Sequence, residues 1–138
     1  MIKKLTRIIA IICIIALLCS NAFAAMDAST MINSYDTDAR HTGGGTISML
    51  VSVFAKDYMD ELGASNIFVY EKVGSAWIIY ETFTKSDNGM MSSDSAMHDD
   101  YVTCNAYTGG EFKVQIVIFA TNYSGETDSR SETHYVYT

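Results

Sequence analysis

The chain contains no proline and only one long run of apolar residues. The absence of proline permits uninterrupted β-ladders, because proline removes a ladder hydrogen bond. The apolar run covers residues 8–19, and these twelve residues are fewer than the roughly 20 that a helix needs to cross a bilayer. The sequence therefore predicts no membrane span once the N-terminal segment is removed.

The N-terminal segment has the organisation of a secretory signal. Three basic residues precede the apolar run, and Ala22-Phe23-Ala24 follow it. A positive start, an apolar centre and small residues before the cut are typical of a cleavable signal peptide. We expect residues 1–24 to be removed and the protein to be secreted and extracellular. An uncleaved N-terminal anchor is the alternative, whereas lipidation of Cys19 is disfavoured because Leu17-Leu18 precede it.

Cleavage after Ala24 changes the charge and the cysteine content. Sixteen acidic and six basic residues remain, a net charge of −10, and Cys104 is the one cysteine left. So acidic a chain is a poor partner for nucleic acid or anionic lipid. It also cannot form an internal disulfide, so it must be stabilised by its core. Alternation with Val102 and Ala106 predicts that Cys104 is buried and inert; a nucleophilic thiol is the alternative.

The remaining sequence divides into a leader and one domain. Residues 25–45 are polar, end in Gly43-Gly44-Gly45 and are expected to form a flexible leader. Residues 46–138 are expected to form a single β-domain. Its alternating, β-branched segments predict six strands, at 46–55, 66–72, Ala76–Thr84, 101–107, Glu111–Thr121 and 130–137. The short connection Val73-Gly74-Ser75 predicts a β-hairpin between the second and third of these strands. A short helical crossover is predicted near 56–62, where Gly63 follows as a C-terminal cap.

These segments indicate an all-β fold. Six or seven strands joined by tight turns favour a two-layer antiparallel β-sandwich with Greek-key links, immunoglobulin- or fibronectin-like in outline. A small barrel is the main alternative. Residues 85–100 are either a loop or contain a seventh strand around Met90-Met91.

Part of the chain resembles a family of small secreted proteins of unknown function from Gram-positive anaerobic bacteria. The resemblance covers about residues 46–120. It is carried by Leu62-Gly63-Ala64, Ile67-Phe68-Val69-Tyr70-Glu71, Trp77 and Tyr107-Thr108-Gly109-Gly110-Glu111-Phe112-Lys113-Val114. It implies export and an immunoglobulin-like β-sandwich, and it supplies no catalytic residues.

Aromatic residues are the strongest candidates for a binding site. The chain has nine tyrosines and one tryptophan, and these residue types are enriched at interfaces because they combine rigid contact area with a hydrogen-bonding tip. The candidate ligand-binding residues fall on polar strand faces and are Tyr101, Tyr107, Tyr135 and Tyr137. Trp77 begins an isoleucine-rich strand and is expected to be a core anchor.

Acidic residues of one loop form a weaker candidate site. No cofactor is expected; if a cation binds, Ca²⁺ is the natural choice, because loop carboxylates ligate it in secreted modules. The candidate ligands are Asp87, Asp94, Asp99 and Asp100. The histidines have no recognised metal spacing, and His98-Asp99-Asp100 would need a cleft to act in hydrolysis.

The sequence favours a non-catalytic extracellular binding module. A cell-wall glycan or a protein surface is the expected partner. A secreted effector or bacteriocin-like protein acting on other cells is one alternative. A small hydrolase is another, although a domain of this size leaves little room for a cleft.

Overall fold

The computed structural model describes residues 31–138, which fold into six antiparallel strands. No helix among these residues is long and apolar enough to span a membrane. The strands are β1 (Ile32–Gly43), β2 (Thr46–Val73), β3 (Ala76–Thr84), β4 (Met91–Asn105), β5 (Glu111–Thr121) and β6 (Thr127–Tyr137).

The long strand β2 organises the whole sheet. Its first half pairs with β1 and β4, and its second half pairs with β3 and β5, which in turn pairs with β6. A straight strand of 28 residues would extend about 92 Å at roughly 3.3 Å per residue, far longer than a domain of this size. β2 therefore bends, and the sheet curls into a half-barrel.

The bend is built from irregular pairing in the middle of β2. The register against β4 shifts between Phe54 and Met59, and the register against β5 shifts between Ala64 and Asn66. Between these bulges, Gly63 has a φ of +141°. A Cβ at Gly63 would lie 2.3 Å from the carbonyl oxygen of Met90, so only glycine allows the two backbones to approach this closely.

The helix predicted near 56–62 is wrong, because these residues belong to β2. Met59 and Leu62 are both buried, and their three-residue spacing resembles a helical face. In the structure the pairing with β4 is regular from Met59 to Gly63, so Met59 and Leu62 lie on opposite sides of β2, and the strand is buried on both sides at this point. Glu61 pairs with Ser93 of β4 and with Thr121 of β5. These ladder hydrogen bonds stabilise the extended conformation, whereas a helix of seven residues is unstable by itself.

The predicted leader also differs from the structure. Residues 32–43 form β1, which pairs with β2 from Ile32 opposite Ala55 to Gly43 opposite Thr46; residues 25–30 lie outside the described residues. The strand is polar because it lies at an edge, where one face meets water and the inward positions include Thr37 and His41. Polar edge strands lack the apolar alternation that marks a strand in sequence.

Other local predictions are confirmed. The segment after Val73 is a tight hairpin turn, with Val73 opposite Ala76. Ala76–Thr84 and Glu111–Thr121 are strands with the predicted bounds. The stretch 85–100 is divided between a turn and the beginning of β4. The Greek-key, immunoglobulin-like sandwich is not confirmed, since a single strand is shared by both halves of the sheet.

The concave side of the curled sheet holds the core. Alternate residues of β2 and β5 point into it and are excluded from solvent. The largest fully buried side chains are Phe112, Phe119, Ile47, Met49, Leu62, Ile67, Met90, Ile116, Ile118, Val51, Val53 and Val69. Phe119 is buried on the opposite side of β5, where the ammonium of Lys85 lies 4.2 Å from the centre of its ring. The partly exposed positions on that side of β5 are free to form a surface.

Candidate functional site

The outward side of the second half of the sheet carries a continuous row of large side chains. Val114 and Phe112 of β5 point into the core, so Lys113 between them points outward. The register places Tyr70 of β2 beside Lys113, and Ile79 of β3 and Tyr135 of β6 extend the row on either side. Four strands that are distant in sequence thus contribute one residue each to the same line.

A second row lies two residues further along the strands. Trp77 is opposite Lys72, and Tyr137 is opposite Glu111, while Lys72 and Glu111 form an ion pair of 3.3 Å across β2 and β5. At about 4.8 Å between strands, each row is roughly 14 Å wide. We call this surface the aromatic face, and it comprises Tyr70, Lys72, Trp77, Ile79, Glu111, Lys113, Tyr135 and Tyr137.

Direct contacts hold the aromatic face together. The rings of Trp77 and Tyr135 lie 5.8 Å apart at an angle of 56°, within the range of favourable aromatic pairs. The ammonium of Lys113 lies 4.6 Å from the centre of the Tyr70 ring and 5.2 Å from that of Trp77. Such cation–π contacts orient both the ammonium and the rings, so the surface is ordered before any ligand arrives.

The aromatic face is open to solvent. Tyr135 is 59% exposed, Tyr137 is 69% exposed and Ile79 is 52% exposed, while Trp77 and Tyr70 are partly exposed. Isolated apolar side chains at a surface are ordinary, but a contiguous group of aromatics marks an interaction site.

The charge of the aromatic face differs from that of the chain. Two lysines and one glutamate give it a net charge of +1, whereas the chain as a whole is strongly acidic. Lys72 is paired with Glu111. Among residues 31–138, no carboxylate forms an ion pair with Lys113, so its charge is left for other partners.

The four predicted tyrosines are exposed but do not form one patch. Tyr135 and Tyr137 belong to the aromatic face. Tyr107 packs edge-on against Phe112 at 5.5 Å, and its hydroxyl donates to Glu71, which raises the pKa of that tyrosine. Tyr101 lies on β4 opposite Leu50, in the other half of the sheet.

Six of the eight members of the aromatic face were not predicted as site residues from the sequence. Trp77 was expected in the core; instead it lies on the outward side opposite Lys72. Tyr70 and Lys113 have no distinguishing local signal. Alternation within each strand does indicate that they point away from the core, but only the pairing of β2 with β5 makes them neighbours.

The structure does not assemble the predicted loop carboxylates. Asp87 accepts from the backbone N–H of Thr84, and Asp94 accepts from the hydroxyl of Tyr123. Asp99 and Asp100 are consecutive residues of β4 and so lie on opposite sides of the strand. Within residues 31–138 there is no group of three or more His, Cys, Asp or Glu side chains placed to hold a metal ion.

The side chains of His98 and Cys104 both form hydrogen bonds within the protein. The ring of buried His98 bonds to the Ser92 hydroxyl at 2.9 Å and to the carbonyl of Gly89 at 2.8 Å, which fixes the turn before β4. Cys104 is buried, as predicted, and its thiol donates to Glu81 at 3.0 Å. Burial and this hydrogen bond raise the pKa of Cys104 to about 12, so the thiol is protonated at neutral pH and is a poor nucleophile.

A shallow polar depression lies between β1 and β6. Its volume is about 340 Å³, and it is lined by Tyr35, Asp36, Thr37, Glu132 and His134. The Tyr35 hydroxyl donates to Glu132 at 2.9 Å, and Thr37 lies 2.9 Å from the ring of His134. The hydrogen bond to Glu132, reinforced by partial burial, raises the pKa of Tyr35. These pairs join two edge strands and leave their polar atoms engaged with each other.

The aromatic face is thus the surface whose side chains are exposed, ordered and not required by a neighbouring strand. Comparison of the chain with family models, with curated proteins and with solved structures finds no match.

Proposed function

We propose that the protein is a secreted, non-catalytic module that binds an extracellular glycan through its aromatic face. The observation that carries this proposal is the exposed Trp77–Tyr135 pair, held 5.8 Å apart on a rigid sheet. The signal-like residues 1–24 support an extracellular setting, where cell-wall and other polysaccharides are the abundant ligands.

The chemistry of the aromatic face suits sugar rings. The C–H groups on one side of a pyranose pack against an aromatic ring, while its hydroxyls stay hydrated or accept hydrogen bonds. The hydroxyl of Tyr135 and the ammonium of Lys113 provide donors at the edges of the rings. A face about 14 Å wide with no deep cavity fits an extended polymer better than a small molecule, which would require a concave site.

A protein partner is less well matched to this surface. The centre of a protein interface is depleted in charged residues, whereas Lys72, Glu111 and Lys113 lie between the aromatics of β3 and β6. Stacking platforms tolerate such interleaved charges, because each ring acts separately on its own sugar unit.

Non-catalytic binding is supported by the surroundings of the reactive side chains. Cys104 is protonated and buried, and His98 is occupied by two structural bonds. The aromatic face carries one carboxylate, Glu111, which is paired with Lys72. Glycoside hydrolysis ordinarily requires two carboxyl groups across one bond.

The proposal is tested by affinity electrophoresis in gels containing solubilised cell-wall polysaccharides or neutral glucans. We expect the purified protein to be retarded, and Trp77→Ala and Tyr135→Ala to lose most of the retardation. Tyr101→Ala is the matched control, because it removes an equally exposed tyrosine from the other half of the sheet. Unchanged retardation of the Trp77 and Tyr135 variants, or an equal loss for Tyr101→Ala, would contradict the proposal.

Intrinsic fluorescence offers a second measurement. Trp77 is the only tryptophan in the chain, so the whole tryptophan signal comes from the proposed site. A sugar stacked on this ring should shift or quench its emission in a saturable manner. A polysaccharide that retards the protein without altering the emission would place its binding site elsewhere.

A further inference from the structure

We infer that the glycan bound by the aromatic face is acidic, with a carboxylate on the stacked sugar ring as in a uronic acid polymer. This inference rests on the proposed function and adds the chemical class of the ligand. It is carried by the position of one ammonium group, that of Lys113.

The ammonium of Lys113 is held beside the position that a ligand carboxylate would occupy. Its ammonium is 4.6 Å from the centre of the Tyr70 ring and 5.2 Å from that of Trp77. The side chain is half-buried between these rings, which limits its freedom and lowers the entropic cost of forming a further bond. An ammonium has three hydrogen-bond donors and no acceptor. Contact with an aromatic ring does not satisfy these donors in the way that a hydrogen bond to a carboxylate does.

Four other basic side chains differ from Lys113 in their partners. Arg40, Lys72, Lys85 and Arg130 each form an ion pair with a carboxylate of the protein. Lys85 is the closest parallel, since its ammonium lies 4.2 Å from the centre of the Phe119 ring and also binds Glu61 at 2.6 Å. Lys113 has the ring contacts of Lys85 but lacks the protein carboxylate.

The distances restrict where the ligand carries its acid. The Lys113 ammonium lies over one side of the Trp77 ring, 5.2 Å from its centre, and Lys113 is directly opposite Tyr135 on β6. A sugar that spans the Trp77–Tyr135 pair therefore lies beside the ammonium. A carboxylate bonded directly to the sugar ring reaches that ammonium without breaking the stack. An acid on a flexible chain between sugars would have to leave the stacked position, so uronic acids fit better than polymers linked through phosphate.

The charge of the rest of the chain makes this recognition selective. The acidic surface repels anionic polymers at long range, although physiological salt screens this repulsion beyond about 8 Å. An anionic polymer without rings to stack therefore gains little at the aromatic face. Binding requires both the stack on Trp77 and the charge-assisted bond to Lys113.

The test compares polygalacturonate with its fully methyl-esterified form, which keeps the sugar ring and removes the charge. Binding is measured by Trp77 fluorescence and by affinity electrophoresis at physiological ionic strength. We expect the acid to bind about tenfold more tightly or better, as removal of a charge-assisted hydrogen bond implies. Alginate and hyaluronate serve as additional uronate probes.

Three variants test whether Lys113 is the source of the preference for the acidic polymer over its ester. Lys113→Met keeps the length and apolar stem of the side chain and should remove the preference for the acid over the ester. Lys113→Arg should retain the preference. Lys85→Gln is the matched control, because it removes a lysine that also contacts an aromatic ring, and it should leave the preference unchanged. Near-ultraviolet circular dichroism confirms that each variant is folded.

The outcomes separate this inference from the proposed function. Equal binding of acid and ester, a preference that survives in Lys113→Met, or binding of neutral glucans with no binding of any uronate polymer overturns the inference and leaves glycan binding in place. Failure of all polysaccharides, acidic and neutral, overturns both. A preference for the acid that is lost in Lys113→Met and kept in Lys85→Gln supports both.

Discussion

The outward surfaces of the two halves of the sheet have the same architecture and different chemistry. In the first half, the outward side of β1 carries Asp36, Asp38 and Arg40, and the neighbouring strands contribute Asp99 and the exposed side chains of Phe54, Met97 and Tyr101. This surface is acidic, and its ion pair joins Asp38 and Arg40 of the same strand, β1. In the second half, the aromatic face replaces these carboxylates with tyrosines, a tryptophan and lysines.

This contrast separates what the fold requires from what it does not. Both surfaces cover the same kind of apolar core with the same antiparallel pairing. The first surface shows that carboxylates with scattered apolar side chains are compatible with the outward side of this sheet. The fold therefore does not require the contiguous aromatics of the second surface, which is the reason we propose that they bind a ligand.

The largest effect is expected from breaking the bend that sets the two surfaces apart. In Gly63→Ala, the added Cβ would lie 2.3 Å from the Met90 carbonyl oxygen, so β2 and β4 must separate. We expect a loss of about 3 kcal/mol or more, at the upper end of ordinary single substitutions, measured by urea denaturation. Gly74→Ala is the control, because its φ is also positive and its Cβ has no neighbour within 4 Å. A similar loss in both variants would show that backbone strain alone, and not the close approach, governs stability.

Alkaline pH should weaken the contact between the two halves at Cys104 and Glu81. The pKa of Cys104 is raised from 9.0 to about 12 by burial and the hydrogen bond to Glu81. Below pH 9 the thiol is protonated in both folded and unfolded states, and its contribution to stability is complete. Between pH 9 and 12 the unfolded state loses the proton first, so the free energy of unfolding falls. Cys104→Ala should reduce this decline; an identical pH profile for the variant would contradict the prediction.

The β1–β6 contact should contribute less. Tyr35→Phe removes the hydrogen bond to Glu132, and Thr37→Val removes the bond to His134. Each loss should cost about 0.5–1.5 kcal/mol, the usual net contribution of one hydrogen bond. Thermal unfolding measures the change, and glycan retardation should be unaltered. Reduced retardation with unchanged stability would indicate that the glycan binds in the depression between β1 and β6.

The smallest stability effect is expected on the aromatic face. Tyr135→Ala should lower the free energy of unfolding by less than about 1 kcal/mol, because the ring is mostly exposed and removes little area from water. Inward-facing Ile116→Ala is the comparison and should cost about 2–5 kcal/mol. Comparable losses of stability in both variants would show that the rings of the aromatic face stabilise the fold. That result would contradict the interpretation drawn from the comparison of the two surfaces.

Prediction from sequence succeeded where the evidence was local. Strand β5 was located with its bounds because the buried residues Phe112, Val114 and Ile116 alternate with polar Lys113 and Gln115. The hairpin after Val73 was found from its turn residues. Prediction failed at β1, whose polar edge lacks this alternation, and at 56–62, where burial of Met59 and Leu62 on opposite sides of β2 imitates helical spacing.

The candidate site was predicted in part for the same reason. Tyr135 and Tyr137 alternate on a polar strand, so their exposure could be inferred from β6 alone. Trp77 was misplaced because an isoleucine-rich strand is normally central, whereas β3 pairs within the described residues with β2 only. Lys113 carries no local signal at all; its value depends on lying beside Tyr70 and Trp77.

The sequence by itself determined the signal-like N-terminus, the acidic charge, the single cysteine left after cleavage and the side of each well-patterned strand that faces the core. Tertiary structure decided which strands are neighbours, where β2 bends and which outward residues share a surface. The physical reason is that alternation is a property of one strand, read over a few residues, whereas register between strands depends on bulges and on pairing across the whole chain. Lys113 and Tyr70 are 43 positions apart in the sequence, and only that register makes them parts of one site.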